Sequence, residues 1–196
     1  LKRQLFQPMM ILHLEFDYRP KSNLQRIKEA SIGYAFIDIP FSPYKLGISM
    51  FLAELLAYTT RNEQANASLY LFMQDSIEWL DRVEGSFSNF HIVFMIRLTS
   101  FLGFSPNIES GMNGDYFDLV DGCFVPYVPT HVHYLNKEDS LRLVALFRLE
   151  YKTMHLYTMS RVERNRCVEV ILEYFRLHVP GFPEMKSFSV LKELFA

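Results

Sequence analysis

A chain of 196 residues, 49% hydrophobic and 15% aromatic with two cysteines, can build a full core without a disulfide framework or a four-cysteine zinc site. Its net charge of −2 argues against wholesale nucleic-acid binding but conceals a basic end: residues 1–28 carry six basic and two acidic residues, residues 29–136 four and twelve. No secretory leader follows Leu1 and no apolar run reaches the ~18 residues of a membrane span, so a soluble cytoplasmic protein is expected.

Residues 6–18 contain a period-2 stretch, with Ile11, His13, Glu15 and Asp17 on one side and Leu12, Leu14, Phe16 and Tyr18 on the other. That alternation predicts a half-buried strand. A turn through Arg19-Pro20-Lys21-Ser22-Asn23 leads to a second strand within residues 24–36. Two strands alone make no stable sheet in water. Either they lie on the helices that follow, or strands N-terminal to Leu1 complete them. Arg19, Lys21, Arg26 and Lys28 lie at or beside this turn, and Arg3 belongs to the same basic segment. They are candidates for a phosphate path, weighed against a plain solvated hairpin.

Pro40 and Pro43 mark a boundary, and helices follow. The spacing predicts a first helix over residues 44–61, apolar on nearly every side with Glu54 as its only interior acid. Asn66 is a candidate N-cap for a second helix to about Glu84, stopped by Gly85. A third, over 87–102, is apolar around most of its circumference and is therefore expected at the centre. Residues 103–136 hold four of the eight glycines and show no helical period. Within them, Tyr116 to Leu119 and Cys123 to Val125 predict a hairpin across an Asp121-Gly122 turn. Asn136 then caps a helix to about Glu150, and Ser160-Arg161-Val162-Glu163 is a capping box for a long helix ending before Pro180-Gly181. A short helix over 187–195 closes the chain.

Catalytic signatures are missing from this pattern. There is no phosphate-cradling glycine loop, no nucleophile elbow, and no base beside Cys123 or Cys167. His131 and His133 fall on one side of a strand, a two-histidine pair without an arguable third ligand, so packed or surface histidines are the favoured account. Glu54 is the sharpest anomaly, expected to pair with Arg97 or Arg176 rather than to act as a catalyst. The residues point to a protein that is not an enzyme.

Several segments, taken in order, resemble the RecO family of bacterial recombination mediators. They are Leu14-Glu15-Phe16 with Tyr18-Arg19-Pro20, residues 24–30, Phe51-Leu52-Ala53-Glu54-Leu55-Leu56, Asn89-Phe90-His91, residues 98–106, residues 174–178, and Lys186-Ser187 with residues 190–195. The resemblance implies a mainly α (α+β) chain. Residues 1–40 would be the last part of an OB-fold barrel with some three strands absent, and residues 41–196 a helical domain with an irregular insertion at about 104–136. Family members often bind zinc in that insertion. The places of the first two zinc cysteines are Gly111 and Gly114 here, so no metal and no other cofactor is expected.

The resemblance further implies partners: single- and double-stranded DNA, RecR, and the acidic C-terminal tail of single-stranded-DNA-binding protein. It implies strand annealing and loading of RecA onto coated single strands, at the nucleoid and not at a membrane. An acidic tail ending in apolar residues needs an apolar pocket and a cation. The candidates are Arg97, Arg161, Arg164, Arg166 and Arg176. The competing account is a helical adaptor that recognises proteins and has no DNA binding of its own.

Overall fold

The computed structural model describes residues 2–22, 24–61, 64–109 and 115–194. After a 3-10 turn at Arg3–Leu5, strands β1 (Leu12–Asp17) and β2 (Arg26–Ile32) pair as an antiparallel hairpin. Helices α1 (Pro43–Thr59), α2 (Ala67–Arg82) and α3 (Phe90–Phe101) follow. A small sheet of β3 (Tyr116–Asp118), β4 (Cys123–Val125) and β5 (Tyr134–Leu135) comes next, then α4 (Lys137–Phe147), α5 (Arg161–His178) and α6 (Ser187–Leu194). The fold is mainly helical α+β, as the residue pattern predicts.

Helix starts follow the capping residues. The side chains of Ser42, Asn66, Asn136 and Ser160 each accept the backbone N–H three residues on, satisfying a donor the helix itself leaves orphaned. Pro43 occupies the first turn of α1, where its missing N–H costs nothing. The end of α2 differs from expectation. It stops at Arg82, before Gly85, because the buried Lys45 ammonium takes the carbonyl oxygens of Asp81 (3.0 Å) and Val83 (2.6 Å).

Helix α3 is central, packed on α2, α4 and α5. Phe90, Ile92, Phe94, Met95 and Leu98 are fully buried on it. The ring of Phe94 stacks on Phe72 at 4.9 Å, and Phe90 clusters with Trp79 (5.7 Å) and Tyr151 (4.8 Å), which also meet each other at 5.1 Å. Such pairs add about 0.5–1.5 kcal/mol each beyond area burial.

The Asp121-Gly122 turn forms as expected, with Gly122 at φ +64° and any Cβ there 2.7 Å from the Tyr174 hydroxyl. The pattern did not anticipate β5, which pairs Leu135 with Phe117 and sets the order β4-β3-β5. Phe117, Leu119 and Leu135 pack on Leu143, Val170 and Tyr174 as a second core.

The N-terminal hairpin also departs from expectation, because β1 is not half-buried. Leu14 and Phe16 remain 45% and 47% exposed. The apolar face of Leu12, Leu14 and Ile27 stands across an open groove of about 470 Å³ from Leu56, Tyr70, Met73 and Ile77 instead of closing on them.

Candidate nucleic-acid and partner interfaces

The hairpin turn is held by one side chain. The Gln25 amide accepts the Arg19 N–H at 2.7 Å and donates to the carbonyls of Ser22 (2.8 Å) and Arg19 (3.0 Å). Arg19 and Lys21 are exposed and, among the described residues, without a carboxylate in ion-pair reach. Arg26 faces Asp17 in register. The pairing slips between Glu15 and Phe16, leaving Lys28 unpaired in the ladder, and its ammonium meets Asp17 at 2.7 Å. Asp17 thus offsets part of the charge of Arg26 and Lys28. Arg3 is exposed in the 3-10 turn, which packs against β2.

The linker from the hairpin to α1 is fastened by Asp81. Its buried carboxylate accepts the backbone N–H groups of Ile37 (2.9 Å), Asp38 (3.0 Å) and Ile39 (2.9 Å), and the Tyr34 hydroxyl at 3.3 Å. Burial pushes this carboxyl up, but the donors outweigh it and hold it below its ordinary value. Lys45, fully buried, spans to Asp38 at 2.6 Å. Sequence reasoning missed both residues. A signal existed: an acid in the last turn of a helix opposes the dipole and needs other donors.

The five arginines proposed for a partner tail do not form one site. On α5 a rise of about 1.5 Å per residue sets Arg161 and Arg176 about 22 Å apart along the axis. Arg161 is exposed in the first turn. Arg164 is half-buried, with Nε donating to Asn89 Oδ1 (3.1 Å) and Nη2 to the Met159 carbonyl (3.1 Å). Arg166 reaches toward Asp139 on α4 at 4.0 Å, and Arg97 lies over the Tyr151 ring with Glu150 at 3.8 Å.

Arg176 opens on a cavity of about 190 Å³ between α5 and α6, whose apolar wall is Leu172, Phe182, Met185 and Phe188 and whose polar lining includes Glu169 and Glu184. Lys192 shares its rim, 4.5 Å over the Phe188 ring and 3.5 Å from Glu169. Sequence reasoning missed Lys192, although its place four residues after Phe188 puts both on one helix face.

The expected partner of Glu54 is corrected. Neither Arg97 nor Arg176 meets it; its carboxylate accepts the N–H groups of Lys186 (3.1 Å) and Ser187 (2.7 Å) and the Ser187 hydroxyl. The N-terminus of α6 supplies the positive pole that an arginine was expected to supply.

The two histidines turn to carboxylates, His131 to Asp118 (3.0 Å) and His133 to Glu173 (2.7 Å). Among the described residues no three His, Cys, Asp or Glu side chains are placed to hold a metal ion. Gly111 and Gly114 lie outside the described residues. Burial pushes the Cys167 thiol up to about 11, and its sulfur sits 3.8 Å from that of Met159. Among the described residues no helix is long and apolar enough to cross a membrane.

Comparison with known proteins decides the family. Residues 40–187 match the family described as Recombination protein O C terminal. The chain belongs to the RecO family. It is 50% identical over 196 residues to the DNA repair protein RecO of Phocaeicola vulgatus, covering all of this chain and 81% of that relative. It is 47% identical over 196 residues to the Bacteroides fragilis protein and 35% over 195 residues to that of Azobacteroides pseudotrichonymphae, each again covering all of this chain and 81% of the relative. RecO likeness therefore extends through the hairpin as well as the helices. A role in recombination repair follows, with DNA and recombination-complex proteins as its partners in general.

Proposed function

We propose that this RecO chain acts as a non-catalytic mediator that anneals complementary strands and helps load RecA onto single strands coated by single-stranded-DNA-binding protein. The observation that carries it is the α5–α6 cavity, where an apolar wall of Leu172, Phe182, Met185 and Phe188 meets a charged rim of Arg176 and Lys192 with Glu169 and Glu184. It offers what the coating protein's acidic, apolar-ended tail requires: burial for a terminal side chain and cations for carboxylates. Of the five arginines expected to meet the tail, Arg176 is the one we retain at the pocket. Arg97, Arg161 and Arg166 would act at most as distant steering charges, and Arg164 as a brace.

The hairpin tip supplies the DNA contact. Arg19 and Lys21 lead, with Arg26, Lys28 and Arg3 alongside, and clustered cations lower the phosphate repulsion that opposes annealing. In this reading residues 1–40 belong to an OB-fold and 41–196 to the helical domain, RecR joins the assembly, and the protein works in the cytoplasm at the nucleoid without metal or cofactor. The Lys28–Asp17 pair at 2.7 Å favours a second reading, a protein-binding adaptor whose hairpin charge is partly neutralised internally.

The test is fluorescence anisotropy with a labelled acidic peptide ending in apolar residues. Arg176→Glu should abolish binding with an unchanged melting temperature. Binding that survives the reversal places the pocket elsewhere.

A further inference from the structure

The rim of the α5–α6 cavity carries as many carboxylates as cations, Glu169 and Glu184 against Arg176 and Lys192. On α5, Glu169, Leu172 and Arg176 recur at i, i+3 and i+7, so one face of the helix brings all three to the cavity. A rise of about 1.5 Å per residue sets Glu169 and Arg176 about 10 Å apart along the axis.

The two cations are not equivalent. Among the described residues, the exposed Arg176 guanidinium has no carboxylate in ion-pair reach. The Lys192 ammonium lies 4.5 Å over the ring of Phe188, part of the apolar wall, and 3.5 Å from the Glu169 carboxylate. The side chains of Lys192 and Glu169 remain 38% and 44% exposed, so water reaches both partners. An exposed pair of this kind is worth a factor of about two to five in an equilibrium. A better-placed carboxylate displaces it.

We infer that Glu169 is a built-in competitor for the acidic tail, holding Lys192 until a carboxylate of the tail takes its place. Arg176 is the standing anchor and Lys192 the exchangeable one. An acidic peptide meets a rim without net charge, and binding through Lys192 leaves Glu169 without its lysine. Affinity is thereby set below what two uncommitted cations would give. Differences between variants of one site fall mostly on the off-rate, so the competitor shortens the tail's stay. This role of Glu169 rests on the tail pocket proposed above and regulates that same site.

Anisotropy of the labelled acidic peptide ending in apolar residues, titrated with the chain at fixed ionic strength, tests it. Glu169→Gln keeps the shape of the side chain and removes its charge. It should melt as the wild type does and bind the peptide about two- to fivefold more tightly, chiefly through slower dissociation. Glu169→Asp keeps the charge and should stay closer to the wild type than to Glu169→Gln. With Lys192→Met there is no ammonium to release, so this variant and its double with Glu169→Gln should bind alike. No tightening by Glu169→Gln, or the same gain with and without Lys192, overturns the competitor even where Arg176→Glu abolishes binding. The second of these results is plain repulsion at the rim. Full binding by Arg176→Glu moves the pocket elsewhere and overturns both the pocket and its competitor.

Discussion

Glu54 on α1 caps α6 across 132 residues of sequence, its carboxylate accepting the backbone N–H of Lys186 at 3.1 Å and of Ser187 at 2.7 Å. A single acid thereby sets the position of the helix that carries Phe188 and Lys192, two walls of the proposed tail pocket.

Glu54→Gln should cost about 0.5–2 kcal/mol, the range for losing a helix cap. Burial pushes this carboxyl up, but the Ser187 hydroxyl and the two backbone donors outweigh it and hold it below its ordinary value. A lowered folded-state value means stabilisation that is present above the ordinary carboxyl range and lost as pH falls through the folded value. Denaturation of both proteins should show the gap full at pH 7 and closing below about pH 4. A gap that is constant with pH contradicts the cap.

Asp81→Ala removes the acceptor of three backbone N–H groups and should destabilise by roughly 3–5 kcal/mol. Hydrogen exchange gives the local signature. The amides of Ile37, Asp38 and Ile39 should lose protection before those of α3, because their bonds end on this one carboxylate. Retained protection at these three amides would remove Asp81 from its role as the linker's anchor.

Phe94→Ala should cost about 3–5 kcal/mol, as for other buried aromatic truncations. The ring is fully buried and stacked on Phe72 at 4.9 Å, so little can collapse into the space it leaves. A near-zero shift of the chemical midpoint would place α3 away from the centre.

Neutralising Arg19, Lys21, Arg26 and Lys28 together should flatten the salt dependence of single-strand binding by up to ~0.7 for each phosphate no longer neutralised. The four are not equal. Lys28 already pairs with Asp17, so Lys28→Ala should change the slope less than Arg19→Ala or Lys21→Ala. An unchanged slope in the fourfold variant removes the tip from the DNA surface.

Local rules in the sequence carried much of this fold. Ser42, Asn66, Asn136 and Ser160 announce helix starts because a cap needs only its own next three residues. The all-round apolarity of α3 announces a centre because such a surface must be covered on every side. What stayed hidden depends on distant partners. The positive pole beside Glu54 belongs to residues 186 and 187, and the anchor for residues 37–39 is Asp81. At two residues, β5 is too short to show a period. The arginines of α5 looked alike in sequence, yet one braces Asn89 and another faces a cavity, a difference set by what packs opposite each.

Annealing of complementary strands, bare and coated with single-stranded-DNA-binding protein, tests the mediator account most directly. The full chain should accelerate both reactions, the fourfold hairpin variant should lose both, and Arg176→Glu should keep the bare-strand rate while losing the coated one. No acceleration by the full chain, or equal effects of Arg176→Glu on bare and coated strands, would contradict it.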